Sequence, residues 1–290
     1  MQAITILRLV TATLLAAVLG GCASGGPLRE VRDFAAESAR LDAYAELSTR
    51  FRDTYQREQP YLSAAADQQE RLLDAGRRDA YPDLIAIGRS LALYMQTLGQ
   101  LADARQVDLK PQITDLGSSI KAWPDTGLSD RHVNAYASLG NVLARAAAGQ
   151  YQQRAAQAML RDGAPQVQTL LEAMQTLLRY YDKSSDNEQR IVLGMLDLEI
   201  PYADTPGERL LAALAKSHRQ AKIAEYRLTG LRHTLAAKQV AAIARGHQAL
   251  LLRLDQPDNS PARDALALSG SEVRAANAAL AAPILEGVSP

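Results

Sequence analysis

Between Pro206 and Pro257 the chain runs without a proline, and its apolar residues recur every three or four positions. This one stretch sets the scale of any fold the sequence can adopt. As a helix from Pro206 to Leu254 it is about 49 residues, or roughly 73 Å, long. Thr205 at the N-cap, Pro206 at the first helical position and Glu208 at the third form a start signal. Leu210, Leu214, Ala221, Ala224, Leu228, Leu231 and Leu235 read as its seam, which hands over to Val240, Ile243, Leu250 and Leu254 with a slip of about one residue. Such a slip predicts nearly straight packing rather than a strict heptad supercoil. Gly230 and Gly246 are either weak points or sites where another element comes close. A helix of this kind needs neighbours to cover its apolar face. Alanine, leucine, glutamine and arginine dominate the chain, while valine, isoleucine and threonine are sparse. The expectation is an all-α fold, an elongated antiparallel helical bundle with long helices.

The remaining helices follow from the same spacing and from its interruptions. Leu28 to about Glu58 carries Phe34, Leu41, Tyr44, Ser48, Phe51 and Tyr55 on one seam, and is expected to be one continuous helix. Gln59-Pro60 ends it, a second piece runs from Tyr61 to about Ala75 before Gly76, and Pro82 opens a third helix to about Arg105. Pro111 starts a short helix ending at Trp123-Pro124, after which Asp125-Thr126-Gly127 marks a turn. Ser129 is the N-cap of a helix running towards Leu160, weakened at Gly149 and ended by Asp162-Gly163. Pro165 opens the next, with a stripe of Val167, Leu170, Leu171, Met174, Leu177 and Leu178. Ser184-Ser185 separates that helix from one capped by Asp186 and Gln189, which stops before Pro201. Pro261 opens one or two short Ala-rich helices. Residues 28–282 thus make up the bundle, with a break near 105–128 where two sub-bundles would divide, and 283–290 form a tail. Tyrosines outnumber phenylalanines eleven to two, and are expected at bundle edges, where a ring is buried and its hydroxyl stays wet.

The N-terminus carries an address. Met1 to Arg8 holds one positive charge, Leu9 to Val18 is apolar but for Thr11 and Thr13, and the run is too short to span a bilayer. Leu19-Gly20-Gly21-Cys22 resembles the lipobox of bacterial lipoproteins. That resemblance implies that residues 1–21 are a signal peptide and that Cys22 becomes the first mature residue, linked through its sulfur to a diacylglycerol. Residues 22–27 then form a lipidated flexible tether. Alanine rather than aspartate follows the cysteine, which in that family points to the periplasmic face of the outer membrane. Cys22 is the only cysteine, so no disulfide framework is available and the fold must stand on its packed core.

Charge and motifs narrow the function. The formal net charge is zero, which argues against a general nucleic-acid binder. No HExxH, GxSxG, GxxxxGK or CxxC motif is present, so neither an enzyme nor a cofactor is expected. His132, His218, His233 and His247 lack the spacing of three or four that lets two ligands on one helix meet a metal, and no metal is expected. Between Pro206 and Leu254 nine basic residues face only Glu208 and Glu225, whereas Asp182 to Asp204 is acidic. Arg219, Arg227, Arg232 and Lys238 are therefore candidate partner-binding residues, against the alternative that they pair with acids inside the bundle. Trp123 is a further candidate, against the alternative that it caps the core. The expected function is that of a membrane-anchored structural or adaptor protein that binds another envelope protein, one form of which is an immunity-type inhibitor. The alternative is a carrier of an apolar or amphiphilic ligand in a cleft lined by the Leu170 to Leu178 stripe.

Overall fold

The computed structural model describes residues 25–103, 117, 119–149, 155–203 and 205–282, and no strand is found among them. The helices are α1 (Gly25–Ser38), α2 (Asp42–Arg52), α3 (Thr54–Glu58), α4 (Ala64–Ala102), α5 (Asp130–Ala147), α6 (Ala155–Ala203), α7 (Arg209–Asp255) and α8 (Ser260–Ala281). Short 3-10 turns occupy Gln59–Tyr61 and Pro124–Thr126. The expected all-α bundle is therefore what the chain forms. The expected signal peptide, Cys22, residues 104–116 and 118, residues 150–154, Asp204 and the expected tail 283–290 lie outside the described residues.

The two longest helices, α6 with 49 residues and α7 with 47, lie side by side in opposite directions. Arg161 meets Asp255, Gln168 meets Ala244, Glu188 meets Tyr226 and Asp197 meets Arg219, so the pairing holds its register over most of their length. The N-terminal helices run back along α7 from its C-terminal end. Glu30 meets Arg253, the Arg40 carbonyl meets Gln239, Glu46 meets Arg232, Arg50 meets Glu225 and Tyr61 meets His218. α8 lies antiparallel on the same half of α7 through Glu272–Arg245 and Asn277–Gln239. α4 packs on α1 and α2, and α5 on α6 through Arg131–Glu172 and Arg145–Asp162. One core of buried side chains extends from Val31 to Val273, and a small second cluster joins Val192, Leu196 and Tyr226.

The seam of α7 differs from the expected one. Its buried stripe is Tyr226, Thr229, His233, Ala236, Val240, Ile243, His247 and Leu250, an unbroken alternation of three and four with no slip. Leu210, Leu214 and Leu231, expected on the seam, are exposed. Two polar members of the buried stripe find partners on other helices: the Tyr226 hydroxyl donates to Glu188, and His247 lies 3.1 Å from the Tyr94 hydroxyl; Thr229 instead donates to the Glu225 carbonyl of its own helix. The start of the helix also moves. Thr205 to Glu208 form a turn and regular helix begins at Arg209, with no side-chain cap from Glu208.

Breaks and joins elsewhere follow packing rather than local signals. The expected helix from Leu28 to Glu58 keeps its seam, with Phe34, Leu41, Tyr44, Ser48 and Phe51 all buried, but divides at Ala39–Leu41 and again at Asp53. At the first break Asn277 donates to the Glu37 carbonyl and Gln239 to the Arg40 carbonyl; at the second, Thr54 donates to the Phe51 carbonyl and Arg57 to that of Arg50. Side chains thus satisfy the carbonyls that each break frees. α1 opens at Gly25, so Gly25 to Pro27 belong to the helix rather than to a tether, with Pro27 in the first turn, where its missing N–H is not needed.

Conversely, Gly76 and Pro82 sit inside α4, and Gly163, Pro165, Ser184-Ser185 and Pro201 inside α6. Each of these prolines is exposed, and so is the residue four positions earlier, Arg78, Arg161 or Asp197. The carbonyl that loses its partner faces water, and the buried stripe on the opposite side carries the helix through. Ser129 does precede α5, its amide donating to His132 Nδ1. The helix ends at Ala147 rather than near Leu160, because Gly149 takes a left-handed φ of 67°. Residues 119–122 are not helical, so the short helix expected to end at Trp123 does not reach it. Asn259 caps α8, a single helix of 22 residues.

Tyr55, Tyr61, Tyr81 and Tyr180 are half-buried, as expected of edge positions, but five others are not at edges. Tyr44, Tyr94, Tyr136, Tyr181 and Tyr226 are buried, and the Tyr44 hydroxyl donates to the Leu84 carbonyl at 2.8 Å. Burial pushes the Tyr44 and Tyr181 hydroxyls well above their ordinary value, so both stay protonated donors.

Gly246 and Gly230 separate the two roles open to them. A Cβ at Gly246 would run into the Phe34 ring and lie 3.1 Å from Ser269 Cβ, whereas Gly230 has nothing within 4 Å. Gly246→Ala should lower stability by roughly 1–3 kcal/mol through overpacking. Gly230→Ala should raise it by up to about 1 kcal/mol through helix propensity. Urea unfolding of the two variants reads both signs.

Candidate functional site

Four of the nine basic residues of α7 pair with acids on other helices, and Lys222 pairs within α7. Arg219 pairs with Asp197, Arg232 with Glu46, Arg245 with Glu272, Lys222 with Glu225 and Arg253 with Glu30. Arg227 and Lys238 are exposed and make no ion pair among the described residues. The four candidate cations therefore split, two holding neighbouring helices and two facing outward. Trp123 is half-buried against the core. Its backbone pairs with Leu128 and its indole N–H donates to Asp83 at 2.8 Å. The Leu170 to Leu178 stripe is core: Leu170, Leu171, Met174, Leu177 and Leu178 are all buried.

Beneath α2 and α3 lies a feature the sequence reading missed, a buried charge network. Glu188 of α6 is 0% exposed. Arg57 grips it through two hydrogen bonds of 2.8 and 2.7 Å, Arg50 donates to it at 3.2 Å and to Glu225 at 3.0 Å, and the Tyr226 hydroxyl adds a third donor. Every charge at this point therefore has a partner, as low-dielectric surroundings require.

Glu58 beside it does not. Its side chain is 1% exposed, and neither carboxylate oxygen has a hydrogen-bond partner. Burial, then the neighbouring carboxylates Glu70 and Glu188, push its carboxyl up to about 7 against the opposing pull of Arg77 and Arg57. Glu58 closes a cleft of about 480 Å³ whose walls include Phe51, Ala80, Trp123 and Tyr180, with the exposed Leu72 and Leu73 also lining it. A signal for this residue exists in the sequence: Glu58 falls three positions after Tyr55, in step with the buried seam through Tyr44 and Phe51.

A third feature is the far end of the α6–α7 pair. Beyond the Asp197–Arg219 contact, Leu198, Tyr202, Leu210, Leu211 and Leu214 are exposed, Tyr202 at 74% and Leu210 at 75%. Five large apolar side chains are thus exposed near one end of the helix pair, where scattered single exposures are the ordinary case.

The four histidines stay apart. His132 caps α5, His218 touches Tyr61, and burial pushes His233 and His247 down to about 4, which keeps both neutral. No group of three metal-ligating side chains occurs among the described residues, and no described helix is long and apolar enough to cross a membrane. Comparison with protein-family models, curated proteins and solved structures gives no significant match.

Opposite outcomes are expected for the two buried acids. Glu188→Ala leaves two guanidinium groups without their carboxylate and should cost about 3 kcal/mol. For Glu58 the folded value of about 7 exceeds the ordinary 4.5, so its penalty is absent below pH 4.5, develops between 4.5 and 7, and reaches about 3 kcal/mol above that. Glu58→Gln should therefore raise stability by about 1–3 kcal/mol at pH 8, the amide retaining part of the burial cost, with the gain disappearing below pH 4.5. Thermal unfolding of both variants across pH checks these signs.

Proposed function

We propose that the chain is a lipid-anchored envelope protein that works as an adaptor, holding another envelope protein at the apolar end of its α6–α7 pair. The observation that carries this reading is the placement of that end. Gly25 opens α1 where α1 meets the C-terminal part of α7, through Glu30–Arg253. An acylated Cys22 would lie within about 10 Å of Gly25 along the chain. Leu214 is near the opposite end of α7, roughly 60 Å away at 1.5 Å per residue. The membrane anchor of this reading and the exposed leucines are thus at opposite ends of a stiff helical shaft.

That separation favours a protein partner over the anchoring bilayer. The charged residues around the apolar end include Glu199 and Glu208 as well as Arg209 and Lys216, unlike the uniformly basic face that suits anionic lipid. Leucine and tyrosine side chains exposed on two adjacent helix ends suit an apolar groove or pocket on another protein.

Photocrosslinking probes at Tyr202 and Leu210, compared with probes at Arg227 and Lys238 on the shaft, test this in intact envelopes. The expected result is one protein adduct from the apolar end only, lost when Leu211→Glu and Leu214→Glu are combined. Adducts of equal yield from all four positions, or lipid adducts alone, would refute it. Cys22→Ser should abolish incorporation of labelled acyl chains and move the protein from the membrane fraction to the soluble one. Retention in the membrane fraction without label would remove the lipid anchor from the reading.

A further inference from the structure

Glu58 is a buried acid for which the fold supplies no partner. The cations that could have served it are engaged elsewhere: Arg57 spends two hydrogen bonds on Glu188, and Arg77 is held by Glu70 at 2.5 Å. Burying an ionisable group without a partner is unfavourable, and such a group commonly marks a place where something binds. Here the orphaned carboxylate belongs to a residue that lines a cleft of about 480 Å³, and a turn of its side chain towards the cleft would present the covered oxygens to a partner from outside.

The rest of the lining says what kind of partner. Phe51, Trp123 and Tyr180 supply aromatic surface, Leu72 and Leu73 supply aliphatic surface, and the Trp123 indole N–H is already committed to Asp83. Glu70, Arg77, Asp125 and Lys183 line the cleft as well, but Glu70 and Arg77 pair with each other, which leaves Glu58 as the buried carboxylate with both oxygens unpartnered. That acceptor beside aromatic and aliphatic surface matches a ligand with an apolar body and one cationic donor. We propose that this cleft binds a small organic amine, its ammonium on the Glu58 carboxylate and its apolar body against Phe51, Trp123 and Tyr180. The site is separate from the apolar end of the shaft, so it stands or falls independently of the adaptor reading.

The charged groups facing Glu58 are Glu70 and Arg77 of α4, Glu188 of α6 and Arg57 of its own helix, while Lys183 and Asp125 also line the cleft. With the carboxyl at about 7, a bound ammonium selects its ionised form, and protonation competes with the amine. An alkylammonium ion keeps its charge throughout this range. Its affinity should therefore be roughly thirtyfold weaker at pH 5.5 than at pH 8.

Trp123 is the only tryptophan and lines the cleft, so its fluorescence reports occupancy directly. The full chain in detergent is titrated with hexylammonium chloride, with hexanol and hexanoate as neutral and anionic controls of equal chain length. The expected result is a saturable change with hexylammonium alone, weakening about thirtyfold between pH 8 and 5.5. Glu58→Gln should weaken it at least about tenfold and remove the pH dependence, because a neutral acceptor replaces an ionised one. Gly76→Leu offers a second variant, since Gly76 lines the cleft and has nothing within 4 Å of an added Cβ. It should block binding while far-UV circular dichroism stays unchanged. Equal responses to hexanol or hexanoate, no saturable response, or unaltered binding by Glu58→Gln would each overturn the proposal.

Discussion

The antiparallel pairing of α6 and α7 is the contact on which the other helices depend. From Arg161–Asp255 to Asp197–Arg219 the two helices hold one register, and the remaining elements are laid against them. The heptad stripe from Tyr226 to Leu250 supplies the shared surface. Because that stripe mixes tyrosine, threonine and histidine with aliphatic residues, its packing fixes direction as well as contact. Tyr226 has to meet Glu188, and His247 has to meet Tyr94. A purely leucine seam would tolerate a shift by one heptad far more readily than one in which buried polar groups must find named partners.

The fold class was legible because helical spacing survives without any tertiary information. Boundaries were not, for a reason that repeats along the chain. Pro82 and Pro165 read as helix starts and Pro201 as a stop, yet each lies inside a helix and faces solvent, where the carbonyl it orphans can be hydrated while the opposite face stays packed. The break at Ala39–Leu41 has no local signal, since its stabilising donors come from Gln239 and Asn277. Leucine likewise misled: Leu210 and Leu214 suggested a seam that belongs to Tyr226, Thr229 and His233, and their exposure instead defines the apolar end. Counting polar residues that continue an apolar spacing would have found Glu58 as well.

Charge in this molecule divides by burial. The ion pairs of α7 with Asp197, Glu46 and Glu272 are partly exposed and add modestly to cohesion. The Arg50–Arg57–Glu188 group is different, because the Glu188 carboxylate is wholly withdrawn from water and needs the donors that both arginines supply. That geometry also explains why Glu58 is left alone: Arg57 has one guanidinium, and Glu188 takes it bidentately. Satisfying Glu188 thus leaves the Glu58 acid without a partner among the residues that line the cleft.

The break between α1 and α2 bears on the order in which the molecule can be completed. Its two freed carbonyls, at Glu37 and Arg40, receive their donors from Asn277 in the last helix and from Gln239 in α7. α6 and α7 are joined by a short turn and can zip together as soon as both exist, whereas the N-terminal arm must wait for residues some 200 positions and more downstream. The part of the chain that is made first is therefore the part that is finished last. Until α8 arrives, the end of α1 lacks the Asn277 donor to Glu37, and the last helix made supplies it at the end where the chain began.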